Sequence, residues 1–165
     1  MTRIHVTGNA GSGKTSAAKK IGASLDIPVY GLDQVVWRPG WNKTPPKERE
    51  QVERQLVSNS HWVIDGVSDT VRRAADIVIL LDVGRPTCYW RCLRRNWRYL
   101  FHSRPELPSN CPEILIIPHL TKLIWNFPLL IQPKIIADMN AGHADFFHVK
   151  NPSQMKIALS QLGVR

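Results

Sequence analysis

An eight-residue segment near the start of the chain constrains the fold most, Gly8-Asn9-Ala10-Gly11-Ser12-Gly13-Lys14-Thr15. It fits the pattern G-x-x-x-x-G-K-[ST], in which backbone N–H groups surround a polyphosphate. Glycines at its first, fourth and sixth positions can adopt backbone angles closed to other residues and let those groups approach a phosphate. A helix beginning at the lysine would add its positive dipole end. The pattern predicts a nucleotide-binding loop formed by Gly8, Asn9, Ala10, Gly11, Ser12, Gly13, Lys14, Thr15 and Ser16.

Two side chains of this loop have predicted roles in binding ATP and Mg²⁺. Lys14 would reach the β- and γ-phosphates, and the hydroxyl of Thr15 would hold the metal ion. Residues 3–7 alternate in strand fashion before the loop, and residues 16–25 show the apolar spacing of a helix after it. A flexible Gly/Ser turn is the alternative, but the order of strand, glycine loop and helix favours the nucleotide site.

Composition limits the class of protein. The 165 residues are 43% hydrophobic and 21% charged, which is typical of one globular domain. The apolar stretch 114–136 is interrupted by Lys122, Lys134 and three prolines, so we expect a broken amphipathic helix packed on the domain. A membrane-surface role is the less favoured alternative. We therefore expect a cytoplasmic protein with no membrane partner.

Net charge and cysteine content indicate which kinds of partner and metal ligand the chain could have. The net charge of +9 indicates an anionic partner, either nucleotide phosphates or nucleic acid. Three cysteines in such a chain favour free thiols. A zinc site would need the close ligand pairs that zinc-bearing lids have, and these are missing among Cys88, Cys92, His102 and Cys111.

Strands alternate with helices along the rest of the chain. This order predicts an α/β P-loop NTPase fold, a five-stranded parallel sheet with helices on both faces. Right-handed crossovers then place the site beyond the carboxyl ends of the strands. We expect one domain over 1–165, with an acceptor-binding insert at about 33–60 and an Arg-rich helix and lid at about 85–112. Thr44 is expected to cap a helix that runs to about 59.

Three aspartates follow predicted strands. Asp65 ends an apolar strand where a P-loop protein needs an acid to position Mg²⁺, although an Asp-Gly turn would look the same. Asp33 is the candidate general base on an acceptor hydroxyl, with a turn or capping aspartate as the equal alternative. Asp82 is expected to cap the following helix. Gly66, directly after Asp65, is a further candidate contact to the substrate.

Arginines dominate the segment after Asp82. Four of them recur at three- and four-residue spacing, so a helix would display most of them along one side. Such crowding favours an anion partner, and a mobile lid could bring guanidinium groups to the transferred phosphoryl group. A nucleic-acid patch and a solvated basic face remain open alternatives. The candidates for phosphoryl transfer are Arg91, Arg94, Arg95 and Arg104, with Arg98 completing the helical set.

The acceptor side and the base side have weaker candidates. Trp37 and Trp41, beside Asp33, are the tryptophans expected to contact an acceptor. Arg38, Arg72 and Arg73 could hold its anionic group. The turn Asn151-Pro152 could line the adenine pocket, although a plain helix cap explains it equally well.

The chain is similar to the adenylate-kinase-like P-loop proteins and more closely resembles the small bacterial DNA topology modulation proteins. The resemblance spans nearly the whole sequence. Its residues are the glycine loop, Leu32-Asp33 with Trp37-Arg38-Pro39-Gly40-Trp41, Trp62 to Gly66, the Arg-rich helix, Arg104-Pro105, Cys111-Pro112-Glu113 and Ile124 to Pro128.

The resemblance implies a nucleoside-monophosphate-kinase-like fold that uses ATP with Mg²⁺ and has a core, an acceptor-binding insert and a lid. Adenylate kinases continue the Asp-Gly element with an aromatic residue, proline and arginine, whereas this chain has Val67-Ser68-Asp69. The resemblance therefore does not identify AMP as the acceptor. The leading hypothesis is an ATP-dependent kinase with a small-molecule acceptor, and the alternative is a nucleic-acid-associated ATP-binding regulator of DNA topology.

Overall fold

Five parallel strands form the central sheet. The computed structural model describes residues 1–103, 107–142 and 144–164, with the side chain of Arg98 outside the description. The sheet order is β2-β5-β1-β6-β7. Its strands are β1 (Thr2–Gly8), β2 (Val29–Gly31), β5 (His61–Asp65), β6 (Ile77–Leu81) and β7 (Asp145–Val149). A two-stranded antiparallel hairpin, β3 (Trp37–Arg38) and β4 (Asn42–Lys43), lies apart from it.

Eight α-helices lie in the described part of the chain. The π-helical turn Phe127–Ile131 joins the sixth to the seventh, and 3-10 turns cover Pro39–Trp41 and Trp97–Tyr99. The helices are α1 (Lys14–Leu25), α2 (Asp33–Val36), α3 (Pro46–Val57), α4 (Asp69–Ala74), α5 (Arg85–Asn96), α6 (Glu113–Asn126), α7 (Gln132–Asn140) and α8 (Pro152–Gln161).

Alternate residues of the strands build a core on each face of the sheet, because successive side chains of a strand point to opposite faces. Ile4 and Val63 face one side, where they pack with residues of α1 and α8. Trp62 and Ile64 face the other, where they pack with residues of α4, α7 and the π-helical turn. Both faces are therefore covered, and the predicted parallel α/β fold is confirmed.

Strand register brings the functional loops to one edge of the sheet. Asp65 at the end of β5 lies beside Val6 of β1 and Gly31 of β2, and Gly8 lies beside Leu81 of β6. The loops after these strands consequently open at the same edge, beyond the carboxyl ends, as crossover handedness predicts.

Two capping predictions were wrong. Helix α3 begins after Pro45, and the Thr44 side chain does not cap it. The proline ring presets the helical φ of the first turn, which makes a side-chain cap unnecessary. Asp82 does not cap α5, whose N-cap is Gly84. Its carboxylate lies 2.8 Å from Nε2 of His148 on the neighbouring strand. Asp82 therefore pairs with a residue of the neighbouring strand and does not cap the helix that follows it.

His5 is a fully buried polar residue of β1. Its Nε2 donates to the carbonyl oxygen of Gly66, 3.1 Å away, which ties the central strand to the turn after β5. Burial lowers the pKa of His5 to about 4, and the bond to Gly66 opposes this shift only partly. The imidazole is therefore neutral at neutral pH.

We expect this buried imidazole to make the free energy of unfolding pH-dependent. A lowered pKa gives stability that is complete above the ordinary value near 6.5 and is lost as the pH falls toward 4. Between pH 7.5 and 5 the loss is about 2 kcal/mol. Urea unfolding at both values should show this loss in the native chain and a smaller one in His5→Gln. The exposed His61→Gln should keep the native pH slope; an unchanged slope in His5→Gln would contradict the assignment.

Candidate active site

The glycine loop has the backbone that its sequence predicts. Gly8, Gly11 and Gly13 all have positive φ, at 151°, 76° and 99°. A Cβ on Gly8 would lie 2.6 Å from the carbonyl oxygen of Leu81, and one on Gly11 would lie 2.5 Å from that of Cys88. Close packing against β6 and α5, as well as φ, therefore requires glycine at these two positions.

Several hydrogen-bond donors of the glycine loop have no partner within the described part of the chain. Among the described residues, the backbone amides of Gly11, Gly13, Lys14 and Thr15 have no backbone acceptor. The hydroxyl of Ser12 is buried with no hydrogen-bond partner in the described structure. Buried polar groups are normally satisfied, and α1 begins here with its positive dipole end. The loop therefore has the donors that a bound polyphosphate needs.

Lys14 lies folded back over this loop. Its Nζ donates to the carbonyl oxygen of Asn9 at 2.9 Å. Burial lowers the pKa of Lys14, while the charges of Asp33 and Asp65 partly oppose the shift and Arg95 adds to it. The ammonium group is thus held within the electrostatic reach of both candidate acids. An anion in the loop would supply the negative charge that favours its protonated form.

The first helix and the end of β5 are joined by one short hydrogen bond. The hydroxyl of Thr15 donates to Oδ2 of Asp65 at 2.6 Å. Asp65 is only 6% exposed, and burial raises its pKa even though Thr15 and Lys14 act in the opposite direction. A hydroxyl and a carboxylate are the hard oxygen ligands that Mg²⁺ prefers. The pair therefore fits a magnesium ion.

Asp33 lies near the glycine loop. It is the first residue of α2 and is exposed, in contrast to Asp65. Its charge raises the pKa of Lys14 and also that of Asp65, so it lies within electrostatic range of both groups. The Asp33 carboxylate is therefore accessible from solvent.

Only part of the predicted arginine set reaches the loop. Arg91 donates from Nη1 to the carbonyl oxygen of Ser12 at 3.2 Å. Arg95 helps to lower the pKa of Lys14 and donates to the side chain of Asn96. Arg94 is exposed and has no partner among the described residues. Arg104 lies outside the described residues, as does the side chain of Arg98.

The two tryptophans expected to contact an acceptor have partners within the protein. Trp37 and Trp41 pack edge to face with their centroids 5.2 Å apart. Nε1 of Trp41 donates to the carbonyl oxygen of Pro112 at 2.8 Å, and its backbone N–H contacts the sulfur of Cys111. Arg38 pairs with Glu48 on α3. These contacts hold Trp37 and Trp41 against each other and against the segment before α6. Both side chains are therefore less available to contact an acceptor.

Other candidates take up structural positions. Arg72, proposed as an anion contact, is only 2% exposed and pairs with Asp69 and Asp138, so it is unavailable to an acceptor. Gly66 has φ of 137°, and a Cβ there would lie 2.7 Å from that of Leu32.

The Asn151-Pro152 turn opens α8. The side chain of Asn151 accepts from the backbone of Gln154 at 2.9 Å, so it is a helix cap. Pro152 occupies the first helical position, where its fixed φ suits the helix. An adenine contact by either residue stays a prediction.

Sequence reasoning missed contacts that bring α6 into the site. Asn9, predicted only as a loop residue, donates from its side chain to the carbonyl oxygen of Ile124 at 2.9 Å. His119 packs edge to face on Trp37 at 5.9 Å, and burial lowers its pKa, with Lys43 and Lys122 adding to the shift. These partners are more than a hundred and about eighty residues apart in sequence, so no local pattern identifies them.

Comparisons with known proteins agree with this geometry at the level of fold. No family model matches the sequence. The chain is 30% identical to putative adenylate kinases of Saccharolobus islandicus and Saccharolobus solfataricus over 105 residues, 57% of this chain and 56% of each relative. The match therefore spans little more than half of the length of these relatives.

Solved kinase structures cover almost the whole chain. Shikimate kinase from Aquifex aeolicus is 19% identical with a TM-score of 0.53, covering 98% of this chain and 96% of its own. Shikimate kinase from Acinetobacter baumannii, solved with shikimate, is 17% identical with a TM-score of 0.57 over 99% and 94%. Deoxyadenosine kinase from M. mycoides is 18% identical with a TM-score of 0.55 over 97% of both chains. The chain has a P-loop kinase-like fold.

We expect Gly11→Ala to destabilise the protein. The new Cβ would meet the Cys88 carbonyl at 2.5 Å in a backbone conformation that disfavours side chains. Residues held in such conformations cost roughly 1–3 kcal/mol. Gly84→Ala is the matched control, because its Cβ has no neighbour closer than 3.9 Å and its φ is −55°. Thermal unfolding would contradict this account if both variants melted alike.

Proposed function

We propose that this chain is an ATP-dependent phosphotransferase that moves the γ-phosphate of ATP to a small acceptor. The observation that carries the proposal is the joint placement of Lys14, Thr15 and Asp65 around a loop with unpartnered amides. A glycine turn alone would need none of these side chains. The solved kinases with this fold support the same class of reaction.

The loop residues would bind and orient the triphosphate. The free amides of Gly11, Gly13, Lys14 and Thr15 would donate to the phosphate oxygens. Lys14 would exchange its bond with the Asn9 carbonyl for one with the β- and γ-phosphates. Arg91, which already touches the loop at Ser12, adds a second cation. Positioned positive charge stabilises the charge spread over the transferred group.

Thr15 and Asp65 would hold the magnesium ion. The metal, when bound, neutralises charge on the β- and γ-phosphate oxygens. Burial raises the pKa of Asp65, and Lys14 beside it favours the ionised form that a metal needs. In the metal-free arrangement Thr15 satisfies this buried carboxylate by its 2.6 Å hydrogen bond.

Asp33 would accept the proton of the attacking acceptor hydroxyl. It is exposed at the mouth of the cleft and shares electrostatic contact with Lys14. The hydroxyl oxygen forms a bond to the γ-phosphorus as the bond to the β,γ-bridging oxygen breaks, and its proton passes to the carboxylate. ADP and a phosphorylated acceptor are the products.

The proposed acceptor must carry a hydroxyl group and must fit the space that the protein leaves beside Asp33. Trp37 and Trp41 contact each other, and Trp41 also donates to Pro112. We therefore base the proposed acceptor contact on Asp33, which is exposed. This chain has Val67-Ser68-Asp69 where adenylate kinases have an aromatic residue, proline and arginine. The side chain of Ser68 caps α4 and donates to Glu53. It therefore serves the fold, and we propose a small hydroxylated metabolite or nucleoside ahead of AMP.

The alternative function, a nucleic-acid-associated regulator of DNA topology, has narrower support. Arg94 on α5 is exposed together with Trp90 and Trp97, a basic and aromatic pattern that single strands can bind. Arg91 and Arg95, however, lie toward the loop. DNA that neither binds at low salt nor changes ATP hydrolysis would eliminate this alternative.

Lys14→Ala is the direct test of the nucleotide site. Removing the ammonium group should lower the rate of phosphoryl transfer or ATP hydrolysis by about 10²–10³-fold, because a preorganised cation is lost. Lys20→Ala, at an exposed position of the same helix, should behave as the native chain. Calorimetric binding of a non-hydrolysable ATP analogue would sink the assignment if Lys14→Ala bound it with native affinity.

Asp33→Asn separates acceptor chemistry from nucleotide binding. Labelled ATP is first screened for transfer to nucleosides, nucleoside monophosphates and small hydroxylated metabolites. With the acceptor so found, Asp33→Asn should lower kcat by about 10²–10⁴-fold while ATP binding persists, because only proton acceptance is lost. A native kcat in this variant would show that Asp33 is a turn residue.

A further inference from the structure

Exposed apolar side chains are concentrated in one part of the molecule. Of the twelve large apolar side chains that are exposed among the described residues, ten lie between Trp90 and Leu130. Scattered exposed apolar residues are normal on a protein surface, but a concentration of them marks an interaction site. The segments concerned are α5 with its following 3-10 turn, and α6 with the π-helical turn.

On α5 the exposed apolar residues form a stripe. Trp90, Leu93 and Trp97 are spaced by three and four residues, so they share one side of the helix. They are 63%, 57% and 72% exposed, and Phe101 just beyond is 74% exposed. The buried residues of α5 are on another side, where Cys88 packs with Ile124 of α6. The stripe is therefore not part of the core.

Helix α6 lies antiparallel to α5 and also carries exposed apolar residues. The Tyr89 hydroxyl near the start of α5 donates to the Thr121 carbonyl late in α6, and the backbone of Ile114 at the start of α6 donates to Leu100. We call the exposed apolar residues of this helix pair and of the π-helical turn the apolar face. Beyond α5 its members include Ile114, Leu115 and Trp125 of α6 and Leu129 of the π-helical turn.

The apolar face belongs to a helical stretch with the composition of a membrane segment. Within the described residues, Glu113–Asn140 is one helical stretch of 28 residues that is, by length and composition, long and apolar enough to cross a bilayer. An 18-residue window of this stretch has a mean hydropathy of 1.6, and only 17% of the window is buried in the protein. Yet Ile124, Phe127 and Ile135 of this stretch pack into the cores. In this fold the stretch is therefore packed on the domain while most of its apolar window stays exposed.

The charges around the apolar face are positive. In the described part of 85–131, which contains these segments, Glu113 is the one acidic residue, and its side chain is fully buried. Arg94 on α5 and Lys122 on α6 are exposed. Tryptophan, leucine and isoleucine bordered by lysine and arginine are the composition of helices that bind the surface of anionic bilayers.

We propose that the apolar face binds the surface of an anionic lipid bilayer. A second copy of the chain fits less well, because a two-fold contact would bring Arg94 and Lys122 of both copies together. Nucleic acid also fits less well, since Leu93, Leu115 and Leu129 have no π-face for stacking on bases. This inference goes beyond the proposed kinase activity and does not depend on it, and it differs from the sequence-based expectation of no membrane partner.

Membrane docking would bring the glycine loop close to the lipid headgroups. The same helix α5 contacts the loop from its other side, through Arg91 to Ser12 and through the close approach of Cys88 to Gly11. A bilayer bound to the apolar face would therefore lie one helix diameter from the nucleotide site.

Sedimentation with vesicles tests the proposal without ATP. The full chain is mixed with vesicles of phosphatidylcholine alone and of phosphatidylcholine with roughly one-third phosphatidylglycerol. We expect the chain to partition at least about tenfold more strongly onto the anionic vesicles, because each basic residue near the surface adds to attraction. Equal or negligible binding to both would overturn the proposal.

Paired variants locate the contact. Leu93→Ser with Trp97→Ser should lower partition by about tenfold or more, since apolar area would no longer be buried. Lys122→Glu should lower it about tenfold on anionic vesicles only. Ile157→Ser on α8, 58% exposed, and Lys47→Glu on α3, also exposed, are the matched controls and should bind as the native chain. Circular dichroism confirms that each variant is folded.

Three further results would overturn the proposal. One is partition that the apolar-face variants leave unchanged. Another is a dimer, seen by light scattering without vesicles, that the Leu93→Ser and Trp97→Ser pair dissociates, because this assigns the face to a second copy. The third is an oligonucleotide that binds the same face while anionic vesicles do not.

Discussion

The hydrogen bond between Thr15 and Asp65 is the interaction on which the arrangement of the site depends. It joins the first turn of α1 to the carboxyl end of β5 over 2.6 Å. Its acceptor is nearly buried, and a buried carboxylate without a partner is costly. Because β5 lies between β2 and β1, Asp65 also lies beside Gly31 of β2. In the proposed function, this one contact would set the phosphate, metal and acceptor positions relative to one another.

Two neighbouring helices hold the glycine loop in place, in addition to the glycines within it. Helix α5 contacts it at Gly11 and through Arg91, and α6 holds it through the bond from Asn9 to Ile124. The insert is in turn anchored to the start of α6 by Trp41. The two helices that carry the exposed apolar face are thus also the helices that brace the site. A partner bound to this face would therefore contact the helices that support the glycine loop.

The sequence predicted the elements whose signals are local. The glycine loop, its flanking strand and helix, and the buried strands at 61–65 and 77–81 follow from residue spacing alone, and the parallel sheet is confirmed. Long-range contacts could not be predicted in this way. Trp37 and Trp41 looked available to a ligand because nothing near them in sequence indicates Pro112 or His119. Arg72 looked like an anion contact because its partner Asp138 is distant in the chain. The spacing of the arginines predicted that α5 has one basic side. It did not indicate which of these arginines lie against the glycine loop.

The most direct test of the account is the magnesium dependence of ATP-analogue binding in the native chain and in Asp65→Asn. Titration calorimetry with and without Mg²⁺ measures it for both proteins. The account predicts that Mg²⁺ strengthens binding to the native chain and has little effect on Asp65→Asn, because the variant loses one of the two oxygen ligands of the ion. Equal magnesium dependence in both proteins, or a native chain that binds no analogue, would contradict it.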